Sequence, residues 1–186
     1  MSVSCRKIKK FLSFYRPYKL LFTAVILCAA IKALISLVLP LCIRYITGEV
    51  LPSGSLDSVH LIFRTAGIMF VLIIIQTVCG IFMDYKGHAM GAMMERDMRE
   101  ELFRHCQRLQ VNFFDREKTG VLMSRITNDL LDLSEVCHHG PENIFIYLST
   151  YIGAFVILLR INAKLTLVVF AFCTAYAELA VLRASI

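Results

Sequence analysis

The sequence contains no tryptophan and only four prolines, and charged residues make up only 18% of its 186 residues. Soluble chains average about 25% charged and about 45–50% apolar residues. Here 58% of the residues are hydrophobic, and the mean hydropathy is +0.67. This composition excludes a disordered chain, a nucleic-acid-binding tail and a secreted disulfide scaffold. It is typical of a membrane protein.

The sequence also lacks the usual signatures of catalysis and metal binding. Its seven cysteines are odd in number and form no CxxC pair, so we expect reduced thiols that act mainly as small apolar packing residues. Cys137, His138 and His139 are adjacent, but adjacent helical residues point in different directions and no further Cys/His pair lies at ligand spacing, so we predict no metal site. With no GxxxxGK[ST] phosphate-binding loop and no nucleophile–base arrangement, we predict no enzymatic activity and no cofactor bound by this chain.

Four apolar runs are long enough to cross about 30 Å of hydrocarbon, and in lipid each must be a helix. They cover residues 20–43, 61–85, 143–160 and 165–183. Six basic residues precede the first run and eight lie in segment 86–139, whereas the two other connections contain two each. The positive-inside rule therefore predicts a cytoplasmic N-terminus. The predicted fold is all-α, a polytopic membrane protein with four transmembrane helices.

The two basic segments have distinct predicted structures. Residues 1–16 fit an amphipathic helix lying in the inner interface and ended by Pro17, although a basic flank that merely orients the first span is an alternative. Segment 86–139 fits a long cytoplasmic helical hairpin, which we call the stalk. Apolar residues recur at helical spacing along both arms of the stalk: Met90, Met94, Met98, Leu102, Cys106 and Leu109, then Leu122, Ile126, Leu130, Leu133 and Cys137.

Features within and beside the spans suggest two readings of the membrane region. Lys32 lies near the middle of the first span, where burial costs about 2.5–3.5 kcal/mol, so we expect it to face a polar cavity or a carboxylate such as Glu178. Ser36 lies on the same helix face and Gln76 lies in the second span. These four residues are candidates for a translocation path. The alternative is a water-filled interhelical pocket and ordinary helix contacts. Gly87-xxx-Gly91, at the base of the second span, is a lone GxxxG motif and only a weak signal of such a helix contact.

The most specific segment is the stalk tip, predicted at residues 112–121, and the residues that follow it. The sequence FFDREKTGVLMSRITND closely resembles the first intracellular loop of ABC exporters, in their type 1 transmembrane domain. The segment RPYK, Pro40 and the outer loop GEVLPSGSL agree with that resemblance, which covers the chain from the N-terminal elbow to the fourth span. The matching positions are Phe113, Phe114, Asp115, Thr119, Gly120, Ser124, Arg125, Asn128 and Asp129.

The resemblance implies a coupling role for these residues. The tip would dock on a cytoplasmic ABC ATP-binding domain, which would hold ATP and Mg²⁺, and two halves, identical or different, would form a dimer in the plasma (inner) membrane. Family members have six spans per half, so this chain corresponds to a partial domain. Apart from the resemblance, Phe113 and Phe114 are large apolar residues of the kind that anchors protein–protein interfaces. Arg125 and Asp129 are four residues apart and fit either a pair within the stalk or a partner contact.

We therefore expect a membrane-spanning subunit or fragment of an ATP-driven ABC exporter, which forms part of the substrate path and couples ATP-domain closure to alternating access. No nucleic-acid partner is expected. Because the chain ends just after the fourth span, we expect either a fragment of a longer protein or a truncated reading frame. The alternative function is a stand-alone four-span membrane protein whose stalk recruits a cytoplasmic partner for assembly or regulation.

Overall fold

A computed structural model of the chain describes residues 11–53, 56–110, 113 and 119–184, and every regular element in these ranges is helical. Three helical stretches are long and apolar enough to cross a membrane: Lys19–Val50, Ser58–Cys106 and Gly120–Ile161, and a shorter apolar helix covers Ala163–Tyr176. This arrangement confirms the predicted all-α class and fits a partial membrane domain. We number the helices α1 Lys19–Tyr45, α2 Leu51–Ser53, α3 Leu56–Cys106, α4 Thr119–Ser124, α5 Leu130–Ile161 and α6 Ala163–Ala184.

Helix α3 is the longest element, with 51 residues and a length of about 76 Å at 1.5 Å per residue. It joins the second apolar run to the descending arm of the stalk without a break. The ascending arm is equally continuous, because a π-helical stretch, Arg125–Asp129, connects α4 to α5. The predicted membrane-to-stalk helix is therefore confirmed, although it ends at Cys106, three residues before Leu109.

The apolar stripes predicted along the two arms form the core of the stalk. The side chains of Met90, Met94 and Met98 are buried against Leu130 and Cys137 of α5. Charged residues occupy the outer surface of α3, where Arg99 pairs with Glu95 and Arg104 pairs with Glu100. Such exposed pairs contribute little stability, so buried apolar contacts hold the two arms together.

A second apolar cluster joins α1, α3 and α5 farther from the stalk tip than the methionine stripe. Val25 and Ala29 of α1 are buried against Met83 of α3, and Ile146 of α5 packs beside them. Helix α1 contacts both α3 and α5. At Gly153 of α5 an added Cβ atom would lie 2.3 Å from a methyl carbon of Leu37. The small residue therefore permits a close helix contact, as the sequence pattern predicts for small residues in spans.

Two prolines lie inside helices instead of ending them. Pro40 is inside α1, which continues to Tyr45 and then through a π-helical stretch, Ile46–Val50, into α2. Helix α1 therefore passes through Pro40 and covers the whole of the first apolar run, residues 20–43. Pro141 likewise lies inside α5. A proline removes one backbone hydrogen bond, but the packed helices around it can hold the remaining turns in place.

Helices α5 and α6 are joined by a tight turn, as the short connection in the sequence predicts. Only Asn162 has an extended backbone between them, with φ −156° and ψ 99°. Its side-chain oxygen accepts a hydrogen bond from the backbone N–H of Leu165 at 3.2 Å and so caps α6. The ring of Phe170 in α6 packs on Tyr151 and Phe155 of α5.

The N-terminal segment is described from Phe11 onward, and residues 1–10 of the predicted interfacial helix lie outside the described residues. Residues 11–13 are helical, and turns follow at residues 14–18, where backbone N–H groups bond to carbonyls three residues earlier. The Tyr15 hydroxyl donates to the Cys137 carbonyl at 2.6 Å, and the Tyr18 hydroxyl donates to Asp97 at 2.7 Å. Burial raises the pKa of both phenols. This segment is thus fastened to both arms of the stalk.

Candidate functional site

The polar residues predicted in the first two spans come together between α1 and α3. Gln76 of α3 donates a hydrogen bond from Nε2 to the Ser36 hydroxyl at 3.2 Å, and that hydroxyl donates to the Lys32 carbonyl at 3.0 Å. An added Cβ atom on Gly80 would lie 3.9 Å from the Lys32 ammonium. Lys32, Ser36 and Gln76 are half-buried. The three residues therefore form one polar cluster at the α1–α3 contact.

A buried acidic residue that the sequence did not suggest contributes to the electrostatic environment of Lys32. Lys32 interacts electrostatically with Glu142 of α5, a carboxylate whose residue is only 6% exposed. No ion pair within 4.0 Å joins the two in the part of the chain that the structure describes. The backbone of Glu178 belongs to α6, but its side chain lies outside the described residues. The suggested Lys32–Glu178 pair therefore stays a prediction.

The coupling residues are described only in part. Phe113 has 36% of its surface exposed, and its backbone N–H bonds to the Gln110 carbonyl at 2.9 Å. Gly120 is exposed at the start of the ascending arm, with open space around its Cα. Phe114 and Asp115, together with the side chain of Thr119, lie outside the described residues. The aromatic position at the tip is thus accessible where it can be described.

The remaining coupling residues follow on the ascending arm: Ser124 ends α4, and Arg125, Asn128 and Asp129 lie in the π-helical stretch Arg125–Asp129. Ser124 and Asn128 are joined by a side-chain hydrogen bond of 3.4 Å. Arg125 and Asp129 are both exposed, and among the described residues no ion pair links them. The Arg125–Asp129 ion pair is therefore not formed here, and a partner contact of these side chains stays a prediction.

A cluster of histidines at the base of the stalk is the largest departure from the sequence reading. The rings of His138 and His139 have centroids 4.1 Å apart, so these adjacent side chains converge. His88 of α3 adds a third ring, 4.5 Å from His138 and 5.1 Å from His139. Glu135 lies one turn earlier on α5, 3.8 Å from both Nε2 atoms. The argument that adjacent helical residues point in different directions is therefore wrong for His138 and His139.

Sequence reasoning missed His88 because its proximity to His138 and His139 depends on the α3–α5 contact, and it missed Glu142 because its relation to Lys32 depends on the α1–α5 contact. It also missed Glu135. One signal was available: Glu135, His138 and His139 occupy positions i, i+3 and i+4 of a predicted helix, and hence one face. His88 lies at the base of the opposite arm of the same hairpin. In an antiparallel hairpin with its tip near 113, residues 88 and 138 are equidistant from that tip.

Comparison with known proteins identifies the family to which this chain is similar. A family model for the ABC transporter transmembrane region matches residues 22–186. The chain is 39% identical over 163 residues to the uncharacterized ABC transporter ATP-binding protein YwjA of Bacillus subtilis, which covers 88% of this chain. It is 28% identical over 164 residues to the "Putative multidrug export ATP-binding/permease protein YgaD" of the same organism, covering 87% of this chain.

These alignments cover only part of the relatives. In both cases the matched region is 28% of the relative's length, so the chain spans less than a third of the proteins that it resembles. The family match, in contrast, extends over nearly all of this sequence and over all of its long helices. The chain therefore belongs to the family of ABC transporter transmembrane regions.

Proposed function

We propose that this chain forms part of the substrate path of an ATP-driven exporter and transmits the motion of an ATP-binding domain through its stalk. The observation that carries the proposal is the unbroken 51-residue helix α3. A continuous helix moves as a rod, so a displacement at its cytoplasmic end reaches the membrane segment without being absorbed by a loop. The buried methionine stripe couples the second arm to that motion.

The names of the relatives support an ATP-binding partner. They are called ATP-binding or ATP-binding/permease proteins, and this chain aligns with 28% of their length. We infer that ATP and Mg²⁺ are held by such a domain, either in the same longer polypeptide or in a separate one. Two membrane halves would then form a dimer in the plasma membrane, with the N-terminus of each half in the cytoplasm.

The stalk tip is the proposed contact with that domain. Phe113 presents an exposed aromatic ring close to the turn of the hairpin, and large aromatic residues dominate the energetics of protein interfaces. Phe114, Asp115, Thr119 and Gly120 would belong to the same docking surface, and Ser124, Arg125, Asn128 and Asp129 would extend it along the ascending arm.

The polar cluster of Lys32, Ser36 and Gln76 is the proposed contribution to the substrate path, with Glu178 as a further candidate. An intramembrane cation is costly and often functional, and this ammonium lies 3.9 Å from the position that a Cβ atom would take at Gly80 of the neighbouring helix. The names of some relatives mention multidrug export. We therefore infer an amphipathic organic substrate that passes beside α1 and α3.

The coupling proposal can be tested by site-specific photo-crosslinking in native membranes. A photoreactive phenylalanine analogue is placed at Phe113 in the complete protein that contains this chain. As a matched control the analogue replaces Phe63, an equally aromatic residue that is 74% exposed near the opposite end of α3. Crosslinked peptides are mapped by mass spectrometry.

We expect position 113 to crosslink to a domain that contains an ATP-binding GxxxxGK[ST] motif, and position 63 to crosslink to lipid only. A tip that crosslinks only to lipid, or to a protein without ATP-binding capacity, would contradict the coupling role. The second outcome would favour the stand-alone recruiting protein instead. ATP added before illumination should change the yield at 113, because domain closure moves the docking surface.

A further inference from the structure

Four potential metal ligands converge where α3 meets α5 at the base of the stalk. They are His88 of α3 and Glu135, His138 and His139 of α5, and one ligand atom from each lies within 4.8 Å of the others. A tetrahedral site with bonds of about 2.1 Å needs ligand atoms about 3.4 Å apart. The Glu135 carboxylate is already 3.8 Å from Nε2 of both His138 and His139. Small side-chain rotations bring the set to coordinating distance.

The buried member of this set has an unpartnered nitrogen. His138 is 3% exposed, and its Nδ1 lies 2.9 Å from the Ser134 carbonyl oxygen. Because a carbonyl can only accept, Nδ1 carries the proton. In neutral His138 the Nε2 atom is then a lone-pair donor that faces the cluster, and it is the one buried side-chain polar atom without a hydrogen-bond partner in the part of the chain that the structure describes. A backbone carbonyl on the distal nitrogen is the usual support of a metal-binding histidine.

A bound metal ion explains the arrangement of these side chains better than protonated histidines do. Three imidazoles with centroids 4.1–5.1 Å apart would repel one another if they were charged. Glu135 is beyond hydrogen-bond distance of either Nε2 atom. A single divalent ion in the centre would satisfy the lone pairs of the rings and the carboxylate together.

We propose that His88, Glu135, His138 and His139 bind a divalent transition-metal ion of the zinc class. Imidazole and carboxylate donors suit Zn²⁺, and four protein ligands make a closed structural site. The buried Glu142 carboxyl group and the His138 ring both lie 3.5 Å from the position that a Cβ atom would take at Gly87, so Glu142 is a further oxygen donor beside the cluster. His88 and Glu135 are exposed, which gives the ion a path from solvent.

The consequence of this site is a clamp between the two arms of the stalk. His88 belongs to α3 and the other three ligands belong to α5, so the ion crosslinks the helices where the stalk meets the predicted membrane segments. The clamp does not depend on what the protein transports. It would fix the register of α3 against α5 and restrict their separation during any conformational cycle.

Zinc binding to the complete protein in detergent tests the proposal. Zn²⁺ is titrated in competition with a chromophoric chelator into the metal-free protein and into His88→Ala. His88 is exposed, so its replacement should not prevent folding. His105→Ala serves as the matched control, because His105 is also exposed on α3 but lies outside the cluster. We expect His88→Ala to lose one bound Zn²⁺ or to bind it with at least about 100-fold lower affinity. Loss of even an outer-shell partner lowers metal affinity about 10–100-fold.

Two further readouts distinguish this site from the cysteines. Co²⁺ substitution should give the visible absorption of a tetrahedral ion without the near-ultraviolet bands of thiolate ligands. Zn²⁺ should raise the thermal unfolding temperature of the wild type and His105→Ala, but not of His88→Ala. Thiolate bands, or equal zinc binding by the wild type and His88→Ala, would overturn the proposal, as would no binding at micromolar Zn²⁺.

Discussion

A Cβ atom added to Gly91 would lie 2.7 Å from Nδ1 of His138. The same atom would lie 3.0 Å from the Ser134 hydroxyl and 3.3 Å from the Ser134 carbonyl oxygen, so α5 packs directly on the glycine backbone of α3. Gly87, one turn earlier, faces Glu142 and His138 at an ordinary 3.5 Å. The motif Gly87-xxx-Gly91, which is weak as a sequence signal, is the groove in which α5 lies.

Replacing the two glycines should therefore have opposite outcomes. Gly91→Ala should lower the free energy of unfolding by about 1–3 kcal/mol, because overpacking displaces His138 and the Ser134 backbone. Gly87→Ala should be neutral or stabilising by up to about 1 kcal/mol, because alanine favours a helix and the added methyl group meets no close contact. Thermal unfolding in detergent compares the two variants. Equal destabilisation would contradict the close approach at Gly91.

The methionine stripe should be the main source of stalk stability. Met94→Ala removes a fully buried side chain and should destabilise the protein by about 2–5 kcal/mol through lost burial and the cavity left behind. Met123→Ala is the matched control, because Met123 is 62% exposed on the ascending arm. That variant should change stability by less than about 0.5 kcal/mol. Denaturant unfolding measures both, and similar losses would contradict the packing of the two arms.

Lys32 and Glu142 should be coupled in stability. Lys32→Met leaves a buried carboxylate without its nearby cation and should cost about 1–2 kcal/mol, less than the roughly 3–5 kcal/mol of a close buried pair, because the two groups are beyond ion-pair distance. Adding Glu142→Gln should recover most of that loss. A double-mutant cycle by thermal unfolding measures the coupling.

The same variants separate a packing role of Lys32 from a role in transport. If the Lys32→Met, Glu142→Gln double variant regains stability but still loses substrate-stimulated ATP hydrolysis by the complete protein, Lys32 contributes to the substrate path. If stability and ATP hydrolysis recover together, the cluster is an interhelical pocket without substrate contact, and the path assignment is wrong. Additive stability losses would contradict the coupling itself.

The Tyr15 hydrogen bond should make stability fall at high pH. Burial raises the pKa of Tyr15 above its unfolded value of about 10, so its contribution is fully present below pH of about 10 and is lost as the pH rises further. Tyr15→Phe should be about 1 kcal/mol less stable at neutral pH. That difference should shrink as the pH rises above about 10. The control Tyr147→Phe, at a residue 69% exposed, should show no such difference at any pH by thermal unfolding.

Much of the helical architecture could be read from the sequence because it follows from local periodicity. Apolar residues at every third or fourth position, such as Met90, Met94 and Leu130, mark the face that must be buried, whatever covers it. The long apolar runs likewise allow only helices in lipid. Helix α1, Lys19–Tyr45, follows the apolar run at residues 20–43 and passes through Pro40, because the apolar run as a whole favours a membrane-length helix.

The sequence by itself determined which segments are helical and which faces are apolar, since these depend on residues close together in the chain. Only the tertiary structure decided which polar groups meet. His88 reaches His138, and Lys32 approaches Glu142, because α1, α3 and α5 pack at one register. That register is set by the close contacts at Gly91 and Gly153, and steric fit between helices far apart in sequence leaves no periodic signal in any one of them.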